Sequence, residues 1–125
     1  MTVKTHTILL AHGSRDQRWC DTLEAGLESV GELLHHQASL AYMEMAEPSL
    51  EQLIQREYAA GVRLFEIFPL FFSAGKHLLI DVPEQLDKLR LELAGVTISL
   101  NTPLGNEPGF WQFIGKLLNE KNPAV

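Results

Sequence analysis

Two histidines and a glutamate stand where a chain of this kind can use them for chemistry. His12 directly follows the apolar run Ile8-Leu9-Leu10-Ala11, and His77 follows a second strand-like stretch, a small-residue turn at Ser73-Ala74-Gly75, and Lys76. Glu44 closes a third short apolar run, Ala38 to Met43. Two imidazoles and a carboxylate form a ligand set for a divalent first-row metal, favouring iron, cobalt, nickel, copper or zinc over magnesium or calcium. An uncharged imidazole, which ordinarily titrates near pH ~6.5, also accepts protons. Arg15, Arg18 and Lys76 lie close in sequence to the histidines and gather positive charge in an otherwise acidic chain, which points to an anionic ligand.

The elements that must position these groups follow from hydrophobic patterning. Lys4 to Ala11 reads as a strand buried on both faces and broken by Gly13. Ser14 and Gln17 have the spacing of a capping box, so a helix is expected from there to about His35, with Trp19, Cys20, Leu23, Leu27, Val30 and Leu34 as its apolar stripe. Ala38 to Met43 is the second strand. Ser49 and Gln52 repeat the capping signature, Leu50, Leu53, Ile54 and Tyr58 form the buried face of the second helix, and Gly61 stops it. Val62 to Phe68 is the third strand, ended by Pro69. Asp81 or its neighbour is expected to cap a third helix with Pro83 in its first turn and Val82, Leu86, Leu89 and Leu93 buried. Gly95 ends that helix, Val96 to Leu100 is a fourth strand, and a last helix carries Phe110, Phe113, Ile114, Leu117 and Leu118 on one face.

Four strand–helix repeats predict an α/β fold, with a central four-stranded parallel sheet and helices on both faces as a three-layer sandwich. Ligands of such sheets bind outside the carboxyl ends of the strands. His12, Glu44 and His77 all follow strand ends, so all three are expected on one rim. His35 and His36 point about 100° apart on a helix and suit its negative carboxyl end better than a shared ion. His6 is expected to be exposed, Met43 and Met45 to fill core, and Ser14 to serve only as a cap.

Composition bounds the function. The chain has 125 residues, 46% of them apolar, enough for one core, so residues 1–125 read as a single domain with a frayed tail at 119–125. A formal charge of −6 with ten scattered Lys and Arg argues against nucleic acid. No apolar run approaches the roughly 20 residues of a membrane span, and the amino-terminal residues show no cleavage site, so a cytoplasmic protein is expected. The single cysteine, Cys20, excludes an internal disulfide or a multi-cysteine cluster within one chain. It is expected to be buried and inert.

The quoted residues also carry a resemblance. AHGSRD at 11–16, AYMEMAEPSL at 41–50, FPLFFSAGKHLLIDVPEQL at 68–86 and PLGNEPGF at 103–110 resemble the sirohydrochlorin chelatases, in particular the short, single-domain cobaltochelatase type of cobalamin biosynthesis. The resemblance implies a chelatase-like fold and a lyase that inserts a divalent metal into the tetrapyrrole sirohydrochlorin with release of two protons. Cobalt is the expected metal, iron or nickel the alternatives, and no organic cofactor is implied. His12 and His77 match the family's catalytic and metal-handling histidines, and Glu44 matches the glutamate of its second motif. Arg15, Arg18 and Lys76 would hold carboxylates of the macrocycle, while Phe72, Leu78 and Leu79 would pack on its face. Because longer relatives carry two such domains, a homodimer is implied.

Three other functions compete on the sequence. A phosphoryl-transfer enzyme with a histidine nucleophile fits a strand ending in His-Gly before a helix, but the preceding residue is Ala11 and not an arginine. A non-catalytic metal or tetrapyrrole carrier would use the same rim. A flavin binder is opposed by the lack of a Ser- and Thr-rich phosphate loop after the first strand.

Overall fold

The structure, a computed structural model, describes residues 5–124; Lys4, the expected first residue of the first strand, and Val125 lie outside them. The strands are β1 (Thr5–Ala11), β2 (Gln37–Tyr42), β3 (Leu64–Pro69) and β4 (Thr97–Leu100), and they alternate with helices α1 (Gln17–Leu33), α2 (Leu50–Ala59), α3 (Val82–Glu92) and α4 (Pro108–Lys121). All pairings are parallel, in the order β2-β1-β3-β4. The expected α/β architecture is the observed one. Among the described residues, no helix is long and apolar enough to cross a membrane.

The two central strands supply apolar side chains to both faces of the sheet. On one face Ile8, Leu10, Phe65 and Ile67 pack with Leu50, Leu53 and Ile54 of α2 and Val82, Leu86 and Leu89 of α3. On the other, Leu9, Ala11, Leu40 and Tyr42 meet Cys20, with Leu23, Leu27 and Val30 of α1 around them. Each such side chain taken fully from water contributes roughly 1.5–3 kcal/mol before chain entropy is subtracted, so this double layer dominates the stability. Cys20 is buried, as its place on the stripe requires.

Several local expectations give way to tertiary context. The capping box at Ser49 forms in full, its hydroxyl accepting from Gln52 N while the Gln52 side chain accepts from Ser49 N. The one expected at Ser14 does not: Asp16 caps α1 by accepting from Arg18 N, and Ser14 Oγ accepts from Asp16 N instead. A carboxylate two residues on is the stronger acceptor, and it takes the cap. Pro69 belongs to β3 as its last residue, and Leu70 N continues the pairing by donating to Leu10 O at 2.8 Å. Met43 packs against the core, whereas Met45 is exposed with φ +61°. The last helix reaches Lys121, past the expected fraying point, and none of its side chains is buried.

His6 is the clearest reversal: it is 3% exposed, not a surface residue. Its Nε2 lies 2.8 Å from Ser39 Oγ and its Nδ1 3.9 Å from Glu57 Oε2. His36, expected at the carboxyl end of α1, lies beyond that helix with its Nε2 2.6 Å from Thr7 Oγ1. Burial pushes the His6 pKa down, Glu57 opposes this, and Arg56 and His36 add to it. The folded state therefore resists protonation of this ring, while the unfolded ring takes up a proton below about pH 6.5. The stabilisation is complete above that pH and is lost as pH falls through the depressed folded value. Thermal melts from pH 8 to 5 should show a fall in melting temperature that His6→Gln reduces; an equal fall in both proteins would remove His6 from the acid sensitivity.

Candidate functional site

The strand order places a switch point between β1 and β3, because the chain leaves β1 for β2 on one side and returns to β3 on the other. In open parallel sheets, ligands bind outside the carboxyl ends of the strands at such a point. His12 directly follows β1, and His77 ends the loop that leaves β3. Both side chains are exposed there, as is that of Glu44, which follows β2 on the far side of β1.

Short backbone bonds extend the sheet into this rim. Met43 N donates to Ala11 O at 2.9 Å and Glu44 N to His12 O at 3.0 Å, so the His12 and Glu44 loops run together. Gly13 makes this approach possible. Its φ is +106°, and a Cβ there would lie 1.7 Å from the Glu44 carbonyl oxygen. A second seam closes the other wall: Gly105 N donates to Phe71 O at 3.0 Å, and a Cβ on Gly105 would meet Phe72 O at 1.6 Å.

Aromatic rings line that wall. The His12 ring stacks on Phe71, with centroids 4.1 Å apart and an interplanar angle of 23°. Phe72 is 70% exposed and lies 5.9 Å from Phe110, which in turn meets Trp111 edge-on at 5.1 Å. The Trp111 indole N–H donates to Gly105 O at 2.6 Å, so this ring is fixed although 53% exposed. Trp111 and the Phe71 stack were not visible as site features, because only the fold brings the loop before α4 against the loop after β3. Leu79 is exposed, but Leu78 belongs to the buried core and cannot meet a macrocycle as the sequence suggested.

The helical segment containing His77 starts earlier than the pattern suggests. A π-helical turn spans His77–Asp81 and runs directly into α3, with Val82 N donating to His77 O. Asp81 has helical dihedrals, φ −68° and ψ −44°, and makes no capping bond. Its Oδ2 lies 2.9 Å from His77 Nδ1. The expected cap is thus a partner of the histidine. The signal was present as a His-x-x-x-Asp spacing, legible only if a helix begins at His77.

The cations divide into two kinds. Arg18 is held by Asp16 through Nε to Oδ1 at 3.1 Å and a terminal nitrogen to Oδ2 at 2.9 Å, bonds that also hold the Asp16 carboxyl below its ordinary range. Arg15 and Lys76 are exposed, and neither has an ion-pair partner among the described residues. They remain open to an anionic ligand. The three metal-ligand candidates do not close on one ion: among the described residues no group of three His, Cys, Asp or Glu side chains can hold a metal. A depression of about 290 Å³ lined by Leu27, Leu40, Tyr42, Glu47 and Arg56 among others includes none of the rim histidines.

Comparison with known proteins covers nearly the whole chain. The CbiX family model matches residues 6–121. The crystal structure of the CbiX protein from Marinobacter aquaeolei VT8 superposes with a TM-score of 0.82 at 44% identity, covering 94% of this chain and 96% of that one. The sirohydrochlorin cobaltochelatase of Sulfurisphaera tokodaii is 28% identical over 121 residues, 94% of this chain and 91% of its own length. The sirohydrochlorin ferrochelatase of Priestia megaterium is 24% identical over 116 residues, which is 92% of this chain but only 44% of that protein.

Proposed function

The chain belongs to the CbiX family, and on that premise we propose that it is a chelatase inserting a divalent cation, cobalt before iron, into sirohydrochlorin. The observation that carries the reading is the pair of exposed histidines, His12 and His77, on the segments after β1 and β3 that flank the switch point of a sheet shared with these relatives. Cobalt comes first because the cobaltochelatase matches this chain end to end, whereas the ferrochelatase is more than twice as long. The same ferrochelatase keeps iron as the second metal.

In this reading the metal is a substrate, delivered by His12 and His77 with Glu44 in support. Metal entry requires two pyrrole N–H protons to leave, and an uncharged imidazole can take a proton or release a metal ion. Arg15 and Lys76 hold peripheral carboxylates through charge-assisted bonds. Phe72, Leu79 and the fixed Trp111 ring give the flat macrocycle an apolar face to lie on.

We read the working form as a cytoplasmic homodimer. The absence of a three-ligand group among the described residues suits a site completed by a second copy or by the macrocycle nitrogens, and two copies restore the length of the ferrochelatase. Sedimentation at twice 14.0 kDa is the expected result, and a monomer that turns over would remove the dimer from the reading.

The deciding experiment is anaerobic insertion followed by visible absorbance, with cobalt, iron and nickel in parallel. Multiple turnover fastest with cobalt is expected. In the same assay Trp111→Ala should raise KM for the tetrapyrrole several-fold and leave kcat near the wild-type value. A wild-type rate no faster than the spontaneous reaction would replace the enzyme by a metal or tetrapyrrole carrier.

A further inference from the structure

We infer that Asp81 is a positioning residue for His77: it holds the ring in the tautomer whose Nε2 carries the free lone pair, presented outward to metal or proton. The inference rests on the chelatase reading for its consequence, and on geometry for its content. His77 Nδ1 and Asp81 Oδ2 are 2.9 Å apart. A carboxylate has no hydrogen to give, so the hydrogen of this bond belongs to Nδ1, and in the uncharged ring Nε2 is left as the acceptor. A histidine that binds metal through one nitrogen commonly donates from the other to a carboxylate, which sets both tautomer and ring direction.

The turn is built to keep this pair together on the outside. Leu78 and Val82, four residues apart, are buried in the core, and they anchor one side of the turn. His77 and Asp81, also four apart, share the adjoining, outward side with side chains 57% and 38% exposed. The π-helical turn, closed by Val82 N donating to His77 O, sits at the junction of the loop with α3, and such turns recur at functional sites. Two simpler roles for Asp81 fail: it has helical dihedrals and caps nothing, and an exposed contact of this kind adds little to folding even when it is charged.

The test reads the ring directly and activity separately. In metal-free, nitrogen-15-labelled protein at pH 8, long-range proton–nitrogen correlation should show the hydrogen of His77 on Nδ1, with the signal identified by its loss in His77→Gln. Asp81→Ala should move a majority of the population to the other tautomer, and Asp81→Asn, which keeps an acceptor oxygen, should restore Nδ1–H. Cobalt insertion should fall about 10–100-fold in Asp81→Ala and recover to within several-fold of wild type in Asp81→Asn. Wild-type protein carrying the hydrogen on Nε2 overturns the inference whether or not any variant folds. So does an unchanged tautomer or undiminished insertion in Asp81→Ala. If the wild type inserts no metal, the chelatase reading fails, while the tautomer still decides what Asp81 does to His77.

Discussion

Replacing His12 or His77 by alanine is expected to lower cobalt insertion by about 100-fold or more while shifting the melting temperature by only a few degrees. The size follows from the roles proposed for them, since a positioned proton acceptor contributes roughly 10²–10⁴-fold. The mild effect on folding follows from placement. Both rings are exposed beyond the strand ends. His12 gives up one stacking contact with Phe71, on the order of 1 kcal/mol, and His77 gives up one exposed hydrogen bond to Asp81 of about the same size or less. Parallel insertion kinetics and thermal melts separate the two quantities. A variant that keeps near-normal turnover takes its histidine out of the mechanism, and one that loses activity only in proportion to folded protein reduces it to a structural role.

Gly13→Ala is expected to do the reverse, acting on structure first and on activity through it. The new Cβ would sit 1.7 Å from the Glu44 carbonyl oxygen, and the backbone is at φ +106°, where side chains are strained. Strain of about 1–3 kcal/mol adds to overpacking of similar size, so a loss of roughly 2–6 kcal/mol is expected. For a domain of this size that is a drop on the order of 10 °C. Relief requires the Glu44 loop to move off the His12 loop, breaking the bond from Glu44 N to His12 O, and insertion should fall even in the fraction that folds. Calorimetry and kinetics on Gly13→Ala check this; a melting temperature within two degrees of wild type would mean that the two loops are not packed as described.

Much of the fold was legible because it is repetitive. Apolar runs of strand length, stripes at steps of three and four, and glycines at Gly61 and Gly95 marked each element to within a few residues, and both glycines are found at positive φ. The rim was legible for the same reason, since in a parallel sheet the residue after each strand falls on the same edge. Local competition was less legible. Ser14 and Ser49 have the same capping signature, and only Ser49 uses it, because Asp16 lies two residues beyond Ser14 and offers a charged acceptor.

By itself, then, the sequence determined the alternation of strands and helices, the edge on which His12, Glu44 and His77 lie, and the motifs that tie the chain to its family. These depend on periodicity and on residue type, which are local properties. Only the tertiary structure decided that His6 is buried against Ser39, that Leu78 faces the core, that Trp111 is pinned to Gly105, and that Asp81 bonds His77 instead of capping a helix. The first two depend on which distant surface the chain meets, and the last two on where the local helix begins. Contact between residues far apart in sequence is set by the packing of whole layers, and no short window of residues contains it.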